Sequence, residues 1–159
     1  MTPDTDPDAF IRQYGGLFDH SPWVVMRAAA RLPLGDVYAG LMAIVYEATP
    51  EEQLSLIRAH PELAGKAAID GTLTEASATE QASAGLDRMT PEEYARFHAL
   101  NTAYRERFGF PFIICVRLTD KPGILAAMEA RLANDRDTEI ATALAEIGKI
   151  TALRLKDVA

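Results

Sequence analysis

The sequence predicts an all-α fold, a single compact domain of about eight helices with an irregular extended loop at residues 108–118. The chain has 159 residues, an ordinary size for one domain, so we expect one domain over residues 1–159. Apolar residues recur every three or four positions in most segments, which is the period of a helix packed on a core. Helix-start signals recur along the chain. One stretch has the composition of a β-strand, but the sequence offers no second strand with which it could pair.

The first three predicted helices lie in the N-terminal third of the chain. Asp6 or Asp8 begins a short helix, which a pair of glycines ends. Ser21 stands directly before a proline, so we expect its hydroxyl to cap a second helix that runs to Leu32. Asp36 caps a third helix, whose apolar residues have helical spacing.

The middle of the chain carries one helix-start signal twice. Thr49 and Thr90 each precede Pro-Glu-Glu, which places a hydroxyl at the N-cap, proline at the first helical position and a glutamate where it can close a capping box. The helix after Thr49 must stop before His60, because a residue that precedes a proline is biased away from the α region. The helix after Thr90 is expected to end near Arg107.

Residues 108–116 have the most β-like composition in the chain. Gly109 and Pro111 favour an irregular extended loop that places aromatic side chains in the core, and an isolated buried strand is the alternative. Two more helices follow, one over residues 121–134 and a long one from about Asp137.

Composition argues against several classes of function. The net charge of -7 argues against a nucleic-acid-binding protein, which needs a basic surface. Cys115 is the one cysteine of the sequence, so no internal disulfide is possible, and its apolar surroundings indicate an inert buried thiol. The longest apolar run, residues 110–116, is too short to cross a bilayer. The acidic N-terminus is unlike a secretory signal and the C-terminus carries no Ser-Lys-Leu peroxisomal address, so we expect a cytoplasmic protein.

No metal or cofactor signature occurs in the sequence. His20, His60 and His98 are spaced about 40 residues apart and form no metal-binding pattern. Glycine-rich nucleotide motifs and Gly-x-Ser-x-Gly are also absent. We interpret His20 and His98 as structural or surface residues. His60 is fixed against Pro61 between two predicted helices, which makes it the best candidate for an active-site residue.

A polar helix provides possible partners for His60. It follows an expected loop at residues 67–73, and its residues are nearly all small or polar. Ser77, Glu80 and Gln81 are three and four positions apart, so they share one face. If this face packs toward His60, the four residues form a site for a molecule rich in hydrogen-bonding groups. If it faces water, the helix is an ordinary solvated surface helix.

Three separated motifs resemble the OHCU decarboxylases, which act on 2-oxo-4-hydroxy-4-carboxy-5-ureidoimidazoline, the last intermediate between urate and (S)-allantoin. The motifs are HPELAGK at residues 60–66, SATEQ at residues 77–81 and YRERFGFPFIICV at residues 104–116. The resemblance extends to HSPW at residues 20–23 and to the final helix, so it covers nearly the whole chain. It implies an all-helical enzyme that uses no cofactor, acts on a small anionic substrate and is usually a homodimer.

The resemblance also implies the site residues. The catalytic histidine of the family falls on His60, which we expect to act as general acid and base, with Glu80 as a second catalytic residue. Glu80 and Gln81 are expected to hold the ureido and ring N–H groups. The implied substrate contacts, of which the last five act mainly through backbone groups, are Pro61, Ser77, Glu80, Gln81, Phe112, Ile113, Ile114, Cys115 and Val116.

The sequence leaves alternatives open for the role of two arginines and for the class of function. Arg105 and Arg107 are expected to form structural or surface ion pairs, because strong ground-state pairing with the substrate carboxylate would oppose loss of CO2; a bidentate carboxylate clamp is the alternative. The alternatives to a decarboxylase are a non-enzymatic helical binding module and a lyase or hydrolase of a related ureido compound.

Overall fold

The computed structural model describes residues 2–65 and 71–158, and within them it contains eight α-helices, one short 3-10 helix and no strand. The predicted all-α fold is therefore confirmed. The helices are α1 (Pro7–Tyr14), α2 (Trp23–Ala29), α3 (Val37–Glu47), α4 (Pro50–Arg58), α5 (Glu75–Ser83), α6 (Pro91–Phe108), α7 (Lys121–Arg131) and α8 (Arg136–Val158), and the 3-10 helix is Val116–Leu118. Lys66 and residues 67–70 of the expected loop lie outside the described residues.

Backbone contacts divide the chain into two compact units. The first unit comprises the chain up to Ala59 together with the end of α8 from Gly148 onward. The second unit runs from His60 to Ile147 and contains α5, α6, α7 and most of α8. The assignment of residues 1–159 to one domain stays a prediction.

Helix starts follow the capping signals of the sequence at most positions. Thr49 and Thr90 both form complete capping boxes, in which the hydroxyl accepts from the third helical N–H and the glutamate at that position accepts from the threonine N–H. Asp6, Asp36 and Thr74 also accept from the first turn of their helices.

Three predicted helix boundaries were wrong. Ser21 does not cap α2: the residue at the N-cap is Pro22, which has helical backbone angles and no side-chain bond to the helix. Helix α2 also ends at Ala29, short of Leu32, and α7 ends at Arg131, short of Asn134. No glycine follows either helix closely, so the sequence offers no strong stop signal there.

The first unit is built on an apolar core that contains the buried ion pair of Arg154 and Asp19. Helix α1 packs on α2 and α2 packs on α3. The Arg154 guanidinium donates to Asp19 and to the Leu17 carbonyl, both at 3.0 Å, and both charged side chains are buried. Each buried charge therefore has an opposite charge as partner.

The second unit has an aromatic core around Tyr104 of α6. Gly109 ends this helix in the left-handed conformation, with φ of 80°, and turns the chain back toward it. The rings of Phe110 and Phe112 then pack edge-on against Tyr104, with centroid distances of 5.9 and 5.3 Å. The prediction that this irregular stretch places aromatic side chains in the core is confirmed.

Among the described residues, no helix combines the length and the apolar character that crossing a membrane would require.

Candidate functional site

Helix α5 buries its polar residues. Its three buried side chains are Ser77, Glu80 and Gln81, each less than a tenth exposed, whereas its alanine at position 78 is exposed. Buried polar groups are costly unless they have partners, so this helix is not an ordinary amphipathic helix. The alternative of a solvated polar face is therefore wrong.

The turn at residues 60–65, here called the His60 turn, connects to this buried face. It starts where α4 ends, and the His60 side chain is buried. Ala64 lies in the left-handed region with φ of 52°, a strained conformation for a residue with a side chain. The N–H of Ala64 donates to Oε1 of Gln81 at 3.0 Å. Helix α5 thus helps to hold the turn that carries His60.

Helix α6 holds the same turn from two positions that are one helical turn apart. Nδ2 of Asn101 donates to the Leu63 carbonyl at 2.8 Å, and Arg105 forms an ion pair with Glu62. Residues four apart on a helix lie on one face, so both contacts come from the same side of α6. The interpretation of Arg105 as an ion-pair residue is confirmed.

Arg107 forms a structural contact of another kind. Its guanidinium donates to the backbone carbonyl of Asn134 at 2.8 Å and lies against the Phe108 ring. The interaction ties the end of α6 to the residues that follow α7.

The second irregular region, residues 110–116, is called the extended segment below. The Ile113 carbonyl accepts from Nη1 of Arg131 at 2.7 Å, and the Cys115 N–H donates to Oε1 of Glu146 at 3.0 Å. Side chains of α7 and α8 therefore supply the hydrogen bonds that a neighbouring strand would supply in a sheet.

Arg131 belongs to a buried charged cluster. Its Nε donates to Oε1 of Glu139 at 2.8 Å, and the Tyr104 hydroxyl donates to the same oxygen at 2.5 Å. The Glu139 side chain is fully buried. Burial raises the pKa of Tyr104 far above its usual value, and the bond to Glu139 raises it further. The phenol therefore stays protonated and holds the carboxylate.

Cys115 connects the extended segment to α5. Burial raises the pKa of its thiol, and the negative charges of Glu146 and Glu80 raise it further. Helix α5 also packs on the 3-10 helix at the end of the segment. The α5 face is thus near both irregular regions, with Gln81 bonded to the His60 turn and Glu80 close enough to act on Cys115.

The predicted site residues are nearly all buried. Pro61 and Ile114 are half-buried, and the buried ones are His60, Ser77, Glu80, Gln81, Phe112, Ile113, Cys115 and Val116. A cavity of about 520 Å³ lies beside Ala64 and Gln81, but His60, Ser77 and Glu80 do not line it. Its lining is mainly apolar and includes Leu86 and Tyr94.

Two of the predicted substrate contacts already have protein partners. Oε1 of Gln81 accepts from the Ala64 N–H, so part of the acceptor capacity of this oxygen is used within the protein. The Cys115 N–H is bonded to Glu146, so it is not a donor for substrate.

Sequence reasoning missed four residues that hold the two irregular regions: Asn101, Arg131, Glu139 and Glu146. Asn101 lies within the apolar stripe of α6, and a polar residue at such a position is a usable signal. Glu139 and Glu146 are seven residues apart and share the buried face of α8 with Ala143 and Ile147. In the part of the chain that the structure describes, no three His, Cys, Asp or Glu side chains are grouped as metal ligands.

Comparisons with known proteins assign the family. The family model of OHCU decarboxylase matches residues 3–156. The chain is 41% identical to the 2-oxo-4-hydroxy-4-carboxy-5-ureidoimidazoline decarboxylase of Haloferax volcanii, over 96% of this chain and 90% of that protein. It is 42% identical to the uric acid degradation bifunctional protein PucL of Bacillus subtilis, over 96% of this chain but 31% of that protein. A crystal structure of (S)-allantoin synthase matches 98% of this chain and 51% of its own with a TM-score of 0.72 and 28% identity. The family match over nearly the whole chain, together with the buried polar face beside the His60 turn, shows that this chain belongs to the OHCU decarboxylase family.

Proposed function

We propose that this protein decarboxylates 2-oxo-4-hydroxy-4-carboxy-5-ureidoimidazoline to (S)-allantoin in urate degradation. The observation that carries the proposal is the buried polar face of α5, where Gln81 is bonded to the turn that bears His60. The relatives named above, whose names specify this substrate and urate degradation, support the assignment.

The reaction breaks the bond between the ring carbon and the carboxylate. The electron pair of that bond becomes a C=C bond to the neighbouring carbon, and the electrons of the ring C=N move onto nitrogen, which takes a proton. Loss of the hydroxyl proton then forms the ring carbonyl, while a proton adds to the carbon that bears the ureido group. The substrate thus accepts its own electrons, so we propose that no cofactor takes part.

His60 is the proposed general acid and base. Imidazole has an ordinary pKa near 6.5, so it exchanges protons readily at neutral pH. In this role His60 takes the hydroxyl proton and delivers a proton to one face of the intermediate, which accounts for a single enantiomer. The break between α4 and Pro61 restricts the backbone that carries it.

Glu80 and Gln81 are proposed to orient the substrate through complementary groups. As the second catalytic residue, Glu80 accepts from substrate N–H groups through its carboxylate and takes part in proton transfer together with His60. The Gln81 amide donates to a substrate carbonyl through its N–H groups, while its oxygen accepts from Ala64. Ser77 lies on the same face and adds a hydroxyl. Pro61 and the residues Phe112 to Val116 are proposed to complete the substrate contacts.

Two further properties are proposed on the resemblance and the sequence. The protein acts in the cytoplasm and forms a homodimer. Light scattering after size exclusion would test the second, with a mass near twice the 17.4 kDa of the chain as the expected result.

The activity is tested by generating the intermediate from urate in situ and following allantoin formation by circular dichroism. Wild-type protein should accelerate loss of the intermediate, release CO2 and form one enantiomer of allantoin. His60→Gln should fold normally and lose about 100-fold or more in rate, as expected for removal of a general acid and base. His98→Gln, at an exposed histidine, is the matched control and should keep the wild-type rate. A wild-type rate in His60→Gln would contradict the assignment, and hydrolysis without CO2 release would favour a hydrolase.

A further inference from the structure

We propose that the peptide unit between Leu63 and Ala64 is a conformational switch. It reverses its orientation in the free protein, and it is held in the observed orientation when a ligand carbonyl binds to the Gln81 amide. The switch is a property of the His60 turn itself, whereas its coupling to the substrate rests on the proposed decarboxylase function.

The observed turn suits glycine better than alanine. The Gly65 N–H donates to the Glu62 carbonyl at 3.4 Å, which closes a β-turn with Leu63 and Ala64 at its centre. Ala64 has a φ of 52°, whereas Leu63 is not among the residues with a positive φ. This combination is that of a type II turn, whose third position usually holds glycine or asparagine. The backbone of Ala64 is therefore strained.

Rotation of one peptide unit would remove this strain. Type I and type II turns differ mainly in the orientation of the peptide between their two central residues, here Leu63 and Ala64. A rotation of about 180° leaves the Cα atoms nearly in place and gives Ala64 the negative φ that ordinary residues prefer. The result is a type I turn, the commonest β-turn, which accepts alanine. The chain on either side does not have to repack.

Both ends of this peptide unit are bonded to side-chain amides. Nδ2 of Asn101 donates to the Leu63 carbonyl at 2.8 Å, and the Ala64 N–H donates to Oε1 of Gln81 at 3.0 Å. Asn101 is 4% exposed and Gln81 is 6% exposed. One peptide unit thus lies between two buried carboxamides, so its orientation determines which atom of each amide faces it.

The other halves of the two amides match the reversed peptide. Oδ1 of Asn101 is buried and accepts no hydrogen bond from any residue within 2–65 and 71–158. Nε2 of Gln81 has no acceptor in the same part of the chain. After the rotation, the Ala64 N–H points toward Asn101 and the Leu63 carbonyl points toward Gln81. Each amide then has only to exchange its oxygen and nitrogen by rotating, and both hydrogen bonds form again.

The two orientations are therefore close in free energy. Each one keeps two hydrogen bonds between the peptide and the amides, while the type II turn alone strains Ala64. A ligand shifts such an equilibrium when it binds one state better than the other. A modest difference in ligand contacts is thus enough to select one orientation.

Gln81 supplies this difference. In the type II turn its oxygen is bonded to Ala64, and its N–H groups are left for the substrate carbonyl. In the type I turn its nitrogen would be bonded to Leu63, and its oxygen would be turned away from the peptide. A substrate carbonyl needs a donor, so it binds the type II state and holds the peptide in the observed orientation.

NMR measures the orientation through the NOE between Hα of Leu63 and the amide proton of Ala64. These protons are close in a type II turn and farther apart in a type I turn, because ψ of the second turn residue differs by about 150°. The NOE is recorded for the free protein and with (S)-allantoin, the stable product of the proposed reaction. Steady-state decarboxylation gives KM and kcat.

Two substitutions at Ala64 bias the switch in opposite directions. Ala64→Gly permits the positive φ, whereas the branched Cβ of Ala64→Val opposes it. Ala64 lines the cavity of about 520 Å³, which gives the larger side chain room. Ala78→Val is the matched control, since Ala78 lines the same cavity from the exposed side of α5 and is not part of the turn.

We expect an intermediate NOE in the free wild-type protein, and (S)-allantoin should strengthen it. Ala64→Gly should show the strong NOE without ligand and lower KM about threefold. Ala64→Val should show a weak NOE and raise KM about tenfold, because apparent affinity falls with the population of the competent state. In both variants kcat should stay within about twofold of wild type, since the bound state is the same. Ala78→Val should match wild type in both readouts.

An NOE of equal strength in the free wild-type protein, in its complex with (S)-allantoin and in Ala64→Val would overturn the switch. Wild-type KM in Ala64→Val together with a weakened NOE would overturn its coupling to substrate. If Ala64→Val does not fold, the comparison of free and allantoin-bound wild-type protein decides. If the wild-type protein does not accelerate decarboxylation, the proposed function fails, and the NOE of Ala64→Gly against that of wild type still shows whether the peptide reverses.

Discussion

The His60 turn and the extended segment are both irregular, yet they are held in chemically different ways. The backbone of the His60 turn is bonded to two neutral amides, Gln81 and Asn101. The backbone of the extended segment is bonded to two charged groups, Arg131 and Glu146. Hydrogen bonds to charged groups are roughly twice as strong as bonds between neutral groups, so the backbone bonds of the segment are individually the stronger ones.

The two regions also differ in strain. The His60 turn contains Ala64 at positive φ, whereas Cys115 in the segment has ordinary extended angles. Strained, lightly held backbone adjusts at a smaller cost in free energy than a segment anchored by buried charges. We therefore predict that the backbone of the His60 turn changes conformation more readily than the backbone of the extended segment.

The largest expected effect comes from breaking the charged cluster behind the extended segment. Arg131→Met removes the guanidinium partner of the fully buried Glu139, and loss of one partner of a buried pair costs about 3–5 kcal/mol. Urea unfolding would measure the free energy of unfolding. Arg96→Met, in an exposed pair with Glu129, is the matched control and should cost less than about 1 kcal/mol. Equal losses in both variants would show that the cluster does not anchor the segment.

A smaller effect is expected from the neutral anchor of the His60 turn. Asn101→Ala removes the bond to the Leu63 carbonyl and should lower the free energy of unfolding by about 1–3 kcal/mol. It should also lower kcat, because His60 lies in the same turn. Thr102→Ala, at the next position of α6, should change neither property by much. A larger loss than that of Arg131→Met would reverse the ranking of the two regions.

Because Ala64 is strained, replacing it with glycine should stabilise the protein, whereas the same replacement at Ala78 should destabilise it. Ala64→Gly removes the steric cost of a positive φ and should stabilise the protein by up to about 1 kcal/mol. Ala78→Gly, at an exposed position of α5, should destabilise it by about 0.5–1 kcal/mol. Thermal unfolding of both variants would measure the two shifts. Destabilisation by Ala64→Gly would contradict strain in the turn.

The smallest expected effect concerns how fast the Cys115 thiol in the extended segment is alkylated. Burial and the charges of Glu146 and Glu80 raise the pKa of Cys115, so its reactive thiolate forms only at a pH above the usual range. Iodoacetamide at pH 8 should leave the folded protein unmodified and alkylate it after unfolding in urea, as mass spectrometry would detect. Rapid alkylation of the folded protein would show that the segment opens readily.

The sequence predicted the helices well because their signals are local. The capping boxes of Thr49 and Thr90 occupy four consecutive residues each, and both are present in the structure. Helix ends without a glycine have no such signal. The end of α2 was therefore predicted several residues beyond its observed end at Ala29. The shared face of Ser77, Glu80 and Gln81 followed from helical spacing alone.

The hydrogen-bond partners of Asn101 and Glu146 could not be predicted, although the position of Asn101 in an apolar stripe was itself a usable signal. The bonds from Asn101 to Leu63 and from Glu146 to Cys115 join residues 38 and 31 positions apart. Side-chain spacing cannot identify which backbone atom such a group will bond, because the partner depends on tertiary packing. The bond from the Ala64 N–H to Gln81 could not be predicted for the same reason, since the two residues are 17 positions apart.

The central claim, that the buried polar face of α5 performs the reaction with His60, is tested most directly at Glu80. Allantoin formation from urate should be followed by circular dichroism for Glu80→Gln and for Glu75→Gln, an exposed glutamate on the same helix. We predict that Glu80→Gln folds normally and loses about 100-fold or more in rate, while Glu75→Gln keeps the wild-type rate. Formation of one enantiomer at the wild-type rate by Glu80→Gln would contradict the account.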